Sequence, residues 1–109
     1  MDKRHFVRVR TNAETRVTHS GKNIPGRIYD LSVNGMFFLT SWAVPLQEMI
    51  EVEIALPPAA PEPSVKLRGK VVRVEERGIG VHFAMELGAY KLLRGMVTKI
   101  IEEESGVDS

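Results

Sequence analysis

The sequence has no cysteine in its 109 residues. Disulfides, thiolate zinc sites, iron–sulfur clusters and cysteine nucleophiles are therefore excluded, while the redox compartment stays open. No apolar run approaches the roughly 20 residues a membrane span needs. Histidine is scarce: His5, His19 and His82 stand in separate segments, and none has a second ligand at a metal-binding spacing. Ser32 has no Gly-x-Ser-x-Gly elbow around it, and Gly78 and Gly80 make no dinucleotide fingerprint. Glu51 and Glu53 share one side of a strand but alternate with apolar residues, as a solvated face does. The sequence thus offers no catalytic residue and no metal site, and neither enzyme activity nor a cofactor is expected.

What is present is ordinary globular composition, 43% hydrophobic and 27% charged, enough for one modest core in a single domain. The net charge of +1 conceals an asymmetry. Lys3, Arg4, Arg8, Arg10, Arg16, Lys22 and Arg27 face only Asp2 and Glu14 within the first quarter, and the remainder is net acidic. A nucleic-acid binder would be basic throughout; a local anion site built by the first quarter fits better, with a solvated basic arm as the plain alternative. Met-Asp-Lys-Arg-His is followed by no apolar stretch, so no secretory signal is expected and a cytoplasmic protein is the expectation.

Strand patterns dominate the middle of the chain. Ile50, Val52, Ile54 and Leu56 alternate with Glu51, Glu53 and Ala55, a half-buried strand with a charged outer face. Val65 and Leu67 share one phase and Val72 and Val74 the other, with Gly69 between, which predicts a long strand bulged or bent at Gly69. Ile79, Val81 and Phe83 continue it as a hairpin through Glu76-Arg77-Gly78. Residues 13–19 and 26–31 are weaker strands, and Met36-Phe37-Phe38-Leu39 is apolar on both phases, a strand covered on both faces. Four prolines between Pro57 and Pro63 make a stiff loop. From Leu87 the apolar residues Tyr90, Leu93, Val97, Ile100 and Ile101 follow a helical period, weakened by Gly88 and Gly95 and by Glu102, Glu103 and Glu104 at its negative end. The expectation is a small all-β barrel or sandwich closed by a C-terminal helix, with a basic arm over 1–12, the sheet over 13–85 and the helix over 86–104.

Two short clusters carry chemistry. Arg4-His5-Phe6-Val7-Arg8 is an Arg-x-x-x-Arg, and Asp30-Leu31-Ser32-Val33-Asn34-Gly35 an Asp-x-Ser-x-x-Gly at a strand end. Together they are complementary to a guanine nucleotide. An arginine fork matches guanine O6 and N7, binds phosphate and can stack on a base. A carboxylate accepts from the base N–H groups, and a serine hydroxyl can donate to phosphate. Each cluster alone also reads as something plainer, a solvated arm or a local turn.

Taken in order along the chain, these motifs resemble those of the PilZ domain family. The resemblance rests on Lys-Arg-His-Phe-Val-Arg, then Gly-Arg-Ile-Tyr-Asp-Leu-Ser-Val-Asn-Gly-Met-Phe, then Val71-Val72-Arg73-Val74-Glu75 and Gly78-Ile79-Gly80-Val81-His82-Phe83. It implies a six-stranded antiparallel β-barrel with a C-terminal helix that binds the bacterial second messenger cyclic di-GMP. Carried over residue by residue, it implies that Arg4 and Arg8 grip guanine edges and phosphates. Asp30 takes guanine N–H donors, Ser32 reaches a phosphate or base, and Gly35 shapes the backbone. Lys3, Arg10 and Asn34 stand beside the motifs as further candidate contacts, with a solvated role the alternative. Gly80 reads as a turn or packing residue and His82 as solvent-facing. Gln47-Glu48-Met49 stands where members often have a Gly turn. The implied protein is a stand-alone, non-catalytic receptor that relays the ligand to a separate partner protein and binds up to two ligands per chain. Its rivals are a PilZ-like adaptor without nucleotide and a small β-barrel for single-stranded nucleic acid, the latter thinly supported because only Phe6 and Tyr29 could stack near the basic arm.

Overall fold

The structure, a computed structural model, describes residues 7–104. Alternating apolar residues form eight strands: β1 (Val9–Arg10), β2 (Thr15–His19), β3 (Lys22–Ile24), β4 (Arg27–Ser32), β5 (Gly35–Leu39), β6 (Met49–Ala55), β7 (Ser64–Glu75) and β8 (Gly78–Ala84). All pair antiparallel in one sheet, in the order β1-β4-β5-β8-β7-β6-β2-β3. The two strands beyond the expected six are β1 and β3. Each is only two or three residues long and lies at an end of the sheet, too short to show a period in the sequence. β1 falls within the segment expected as an arm: Val9 pairs with Leu31 and Arg10 with Asp30. Val9 is buried among the core side chains, and that burial is what joins it to the sheet.

The sheet curls round a single core. Val17, Ile28, Leu31, Met36, Phe38, Ile50, Val52, Ile54, Val65, Val71, Ile79 and Val81 line its inner face, and helix α1 (Leu87–Glu104) lies against it through Leu93, Met96 and Val97. The helix has no acidic residue in its first turn and no basic residue in its last, so its dipole is uncompensated at both ends. Packing holds it instead: each such side chain removed from water contributes about 1.5–3 kcal/mol.

The bulge in β7 is not at Gly69. The register shifts between Val71 and Arg73, whereas Gly69 stays in the ladder opposite Ile50 and Phe83. Gly69 is a close-approach residue, since a Cβ there would collide with the Val81 side chain. Val71 keeps the inward phase of Val65 and Leu67, and Val72 and Val74 turn out to solvent, 49% and 44% exposed. The turn before β6 holds Gln47 at φ 73°, the left-handed conformation glycine favours. Its amide donates to the Val71 carbonyl at 2.7 Å, which keeps the loop on β7 despite the side chain.

Candidate functional site

Two β-bulges build the site. In β4 the register against β5 shifts between Ile28 and Asp30, so Tyr29 and Asp30 follow one another onto the outer face while Ile28 and Leu31 are buried. The β7 bulge does the same for Val72 and Arg73. Bulges of this kind re-aim side chains next to binding sites. Between them lie β5 and β8, and the register aligns Arg10, Asp30, Phe37, Gly80 and Arg73 as one row across five strands. The neighbouring row holds Ser32, Gly35, His82 and Lys70.

Arg8 and Asp30, 22 positions apart, meet at the head of this surface. Arg8 Nη2 and Nε donate to Asp30 Oδ1 at 2.8 and 3.2 Å, and the Phe37 amide donates to the same oxygen at 3.2 Å. The carboxylate is thereby fixed by the backbone, and it in turn orients the arginine. The pair borders a cavity of about 420 Å3 with Asn34, Gly35 and His82 along one side and Val72 and Arg73 along the other. Gly80 keeps it open: a Cβ there would press on Arg73. Gly35 is glycine for a structural reason, because a Cβ would run into the Val81 carbonyl.

The remaining motif residues take distinct places. Ser32 is fully buried. Its hydroxyl donates to Asn34 Oδ1 at 2.6 Å and accepts from the Asn34 amide at 3.3 Å, so it fixes the turn that presents Asn34 and lies beneath the cavity rather than at it. Arg10 turns to the other side of Asp30: Nε donates to the Tyr29 carbonyl at 2.9 Å and the guanidinium lies 3.8 Å from the Tyr29 ring centroid. Lys3 and Arg4 lie outside the described residues. His82 is exposed, as expected, and lines the cavity.

Sequence reading missed Arg73, Arg77 and Phe37 as members of this surface. Arg73 stands 5.2 Å and Arg77 4.8 Å from the Phe37 centroid, and Arg77 is 4.9 Å from that of Tyr29. Glu75 bridges the two arginines, at 2.9 Å from Arg73 Nε and 3.8 Å from Arg77 Nε. The available signal was the doubly apolar run at 36–39, which needs cover on its outer face.

Four arginines against Asp30 and Glu75 make the region electropositive, with forked donors that suit phosphates and guanine edges. A larger groove of about 500 Å3 lies by β2, β6 and β7, but its acidic and basic side chains offset one another, as Arg16 and Glu53 do at 3.5 Å, and it holds no motif residue. Among the described residues, no cluster of three or more His, Asp or Glu could hold a metal.

The model of the PilZ domain matches residues 2–99. No curated protein sequence matches the chain significantly. Among solved structures, the Bacillus subtilis inhibitor of motility (MotI/DgrA) superposes with a TM-score of 0.77 at 15% identity, over 94% of this chain and 54% of that one; the chain thus spans about half of that protein. The PilZ domain of Escherichia coli YcgR with c-di-GMP gives 0.69 at 13% identity, over 97% and 99%. An uncharacterised Legionella protein gives 0.59 at 20% identity, over 92% and 99%. At these identities the solved structures establish the fold.

Proposed function

This chain belongs to the PilZ domain family, and from that premise we propose that it is a non-catalytic receptor for cyclic di-GMP. The observation that carries the reading is the Arg8–Asp30 pair set beside a glycine-lined, arginine-flanked cavity. Arg8 offers its fork to a guanine edge or a phosphate from one side, and Arg73 does so from the other. Asp30, anchored by the Phe37 amide, accepts guanine N–H groups, and Ser32 acts through the turn that presents Asn34 and Gly35. Arg4 and Lys3 complete the cationic set.

In the free protein the Arg8–Asp30 pair is part-exposed and worth roughly 0–1 kcal/mol. A ligand that brings charge-assisted bonds to both partners replaces it at little cost. Ligand held by Arg4 and Arg8 together with Asp30 then ties the segment before β1 to the sheet, a population shift that a separate partner protein reads. A stacked pair of ligands carries four phosphate charges, which Lys3, Arg4, Arg8 and, once turned from Tyr29, Arg10 match, so the stoichiometry is two per chain. No cofactor or metal takes part, and the protein acts in the cytoplasm.

Calorimetric titration with cyclic di-GMP, GMP and a short oligonucleotide, at two salt concentrations, tests the reading. Saturable binding of cyclic di-GMP alone is expected. Heat from the oligonucleotide with a steep salt dependence would point to a nucleic-acid binder, and no heat from any of the three to an adaptor.

A further inference from the structure

Phe37 is a large ring on the outer face of the sheet, outside the cluster of core side chains, yet only 2% exposed. Its cover is unusual. Gly80 stands opposite it on β8 and Gly78 one place further along, so β8 places no side chain directly opposite the ring. The guanidiniums of Arg73 and Arg77 reach over it instead, from side chains that are 60% and 57% exposed. Tyr29 stands edge-on beside it, with ring centroids 6.3 Å apart and planes at 85°. Phe37 and Tyr29 thus form a floor and a wall, and Arg77 lies over the corner between them.

We infer that this corner is a purine-stacking subsite, with Phe37 as its platform and Tyr29 as its side, over which Arg77 lies in the free protein. The inference rests on the cyclic di-GMP reading above. An exposed guanidinium over a ring is a weak contact that solvent largely satisfies. A nucleobase on the same ring is held more tightly: loss of such a stack lowers affinity by about five- to 150-fold, equivalent to roughly 1–3 kcal/mol per base. A purine therefore displaces Arg77 from the ring. The freed guanidinium can close on the outer face of the base, so that its own stacking is exchanged rather than lost. The corner adjoins the cavity: Asp30, which borders the cavity, pairs with Phe37 in the ladder. A base held at Asp30 is therefore beside the platform.

The test uses the full chain and cyclic di-GMP, with binding followed by calorimetry, the ligand's guanine H8 resonance by NMR, and folding by thermal melting. Wild type should show NOEs between at least one guanine H8 and the Phe37 ring protons, as a base stacked on that ring requires. Phe37→Leu should bind at least about five-fold more weakly, whereas Phe37→Tyr, which keeps the ring, should stay within about two-fold. Equal binding by Phe37→Leu, or no NOE from guanine H8 to the Phe37 ring in the wild-type complex, overturns the subsite and leaves the receptor reading standing. Should Phe37→Leu fail to fold, the presence or absence of the wild-type NOE from guanine H8 to the Phe37 ring decides the matter. A wild-type protein that binds no cyclic di-GMP overturns both.

Discussion

Arg8 is the residue on which the proposed chemistry turns. Its bonds to Asp30 lie near the surface, with Arg8 46% exposed, so removing them should hardly move stability. Arg8→Ala should weaken cyclic di-GMP binding by about 1–3 kcal/mol, the cost of a lost bidentate pair, with an unchanged melting temperature. Arg8→Lys should fail almost as badly, because a point charge cannot reproduce the fork. A lysine variant that binds like wild type would show that only charge matters there. Gly35→Ala behaves differently: its Cβ meets the Val81 carbonyl, so the loss should appear in the thermal melt before it appears in binding. The motif residues were legible in the sequence because they are contiguous. Arg73, Arg77 and Phe37 were not, since they enter the site through strand register, which a single sequence does not display. Ser32 shows the opposite limit: its place in the motif is plain, but only the fold reveals that its hydroxyl is turned into the Asn34 turn.

At the scale of elements, the alternation of Ile50, Val52 and Ile54 and the helical period from Leu87 correspond to β6 and α1. The misplaced feature was the β7 bulge. Glycine marks both bulges and close approaches, and the sequence could not separate the two at Gly69. The bulge at Val72 leaves an apolar residue exposed, a pattern that looks like a phase change from sequence alone. Two substitutions test the local physics. Gly95 lies mid-helix with open space where a Cβ would be, so Gly95→Ala should stabilise the protein by about 0.5–1 kcal/mol in denaturant unfolding. Gln47→Gly should stabilise it by roughly the same amount, since the left-handed turn at φ 73° costs a side-chain-bearing residue about 1–2 kcal/mol. Destabilisation by Gly95→Ala would mean that the helix is held by something other than its buried stripe.

For the molecule as a whole, the fold places its chemistry on one outer face and its core on the other. Arg8 and Arg10 reach that face through β1, where Val9 packs into the core and the two arginines stay outside, whereas Arg16 and Lys22 lie on β2 and β3 at the other end of the sheet. Ligand binding should therefore slow amide exchange across residues 1–8, before the already paired β1, while leaving the central strands β5 and β8 unchanged. Equal protection with and without ligand would contradict the population shift.

Whether this chain is a cyclic di-GMP receptor is decided by its melting temperature with and without the ligand, read beside that of Arg8→Ala. A ligand that binds only the folded state stabilises it by about 2.7 kcal/mol at a hundred times Kd, which for a domain of this size is a rise of roughly ten degrees or more. Wild type should show that rise with cyclic di-GMP and none with GMP, and Arg8→Ala a much smaller one. An unchanged melting temperature at saturating cyclic di-GMP, or an undiminished rise in Arg8→Ala, would contradict the receptor reading.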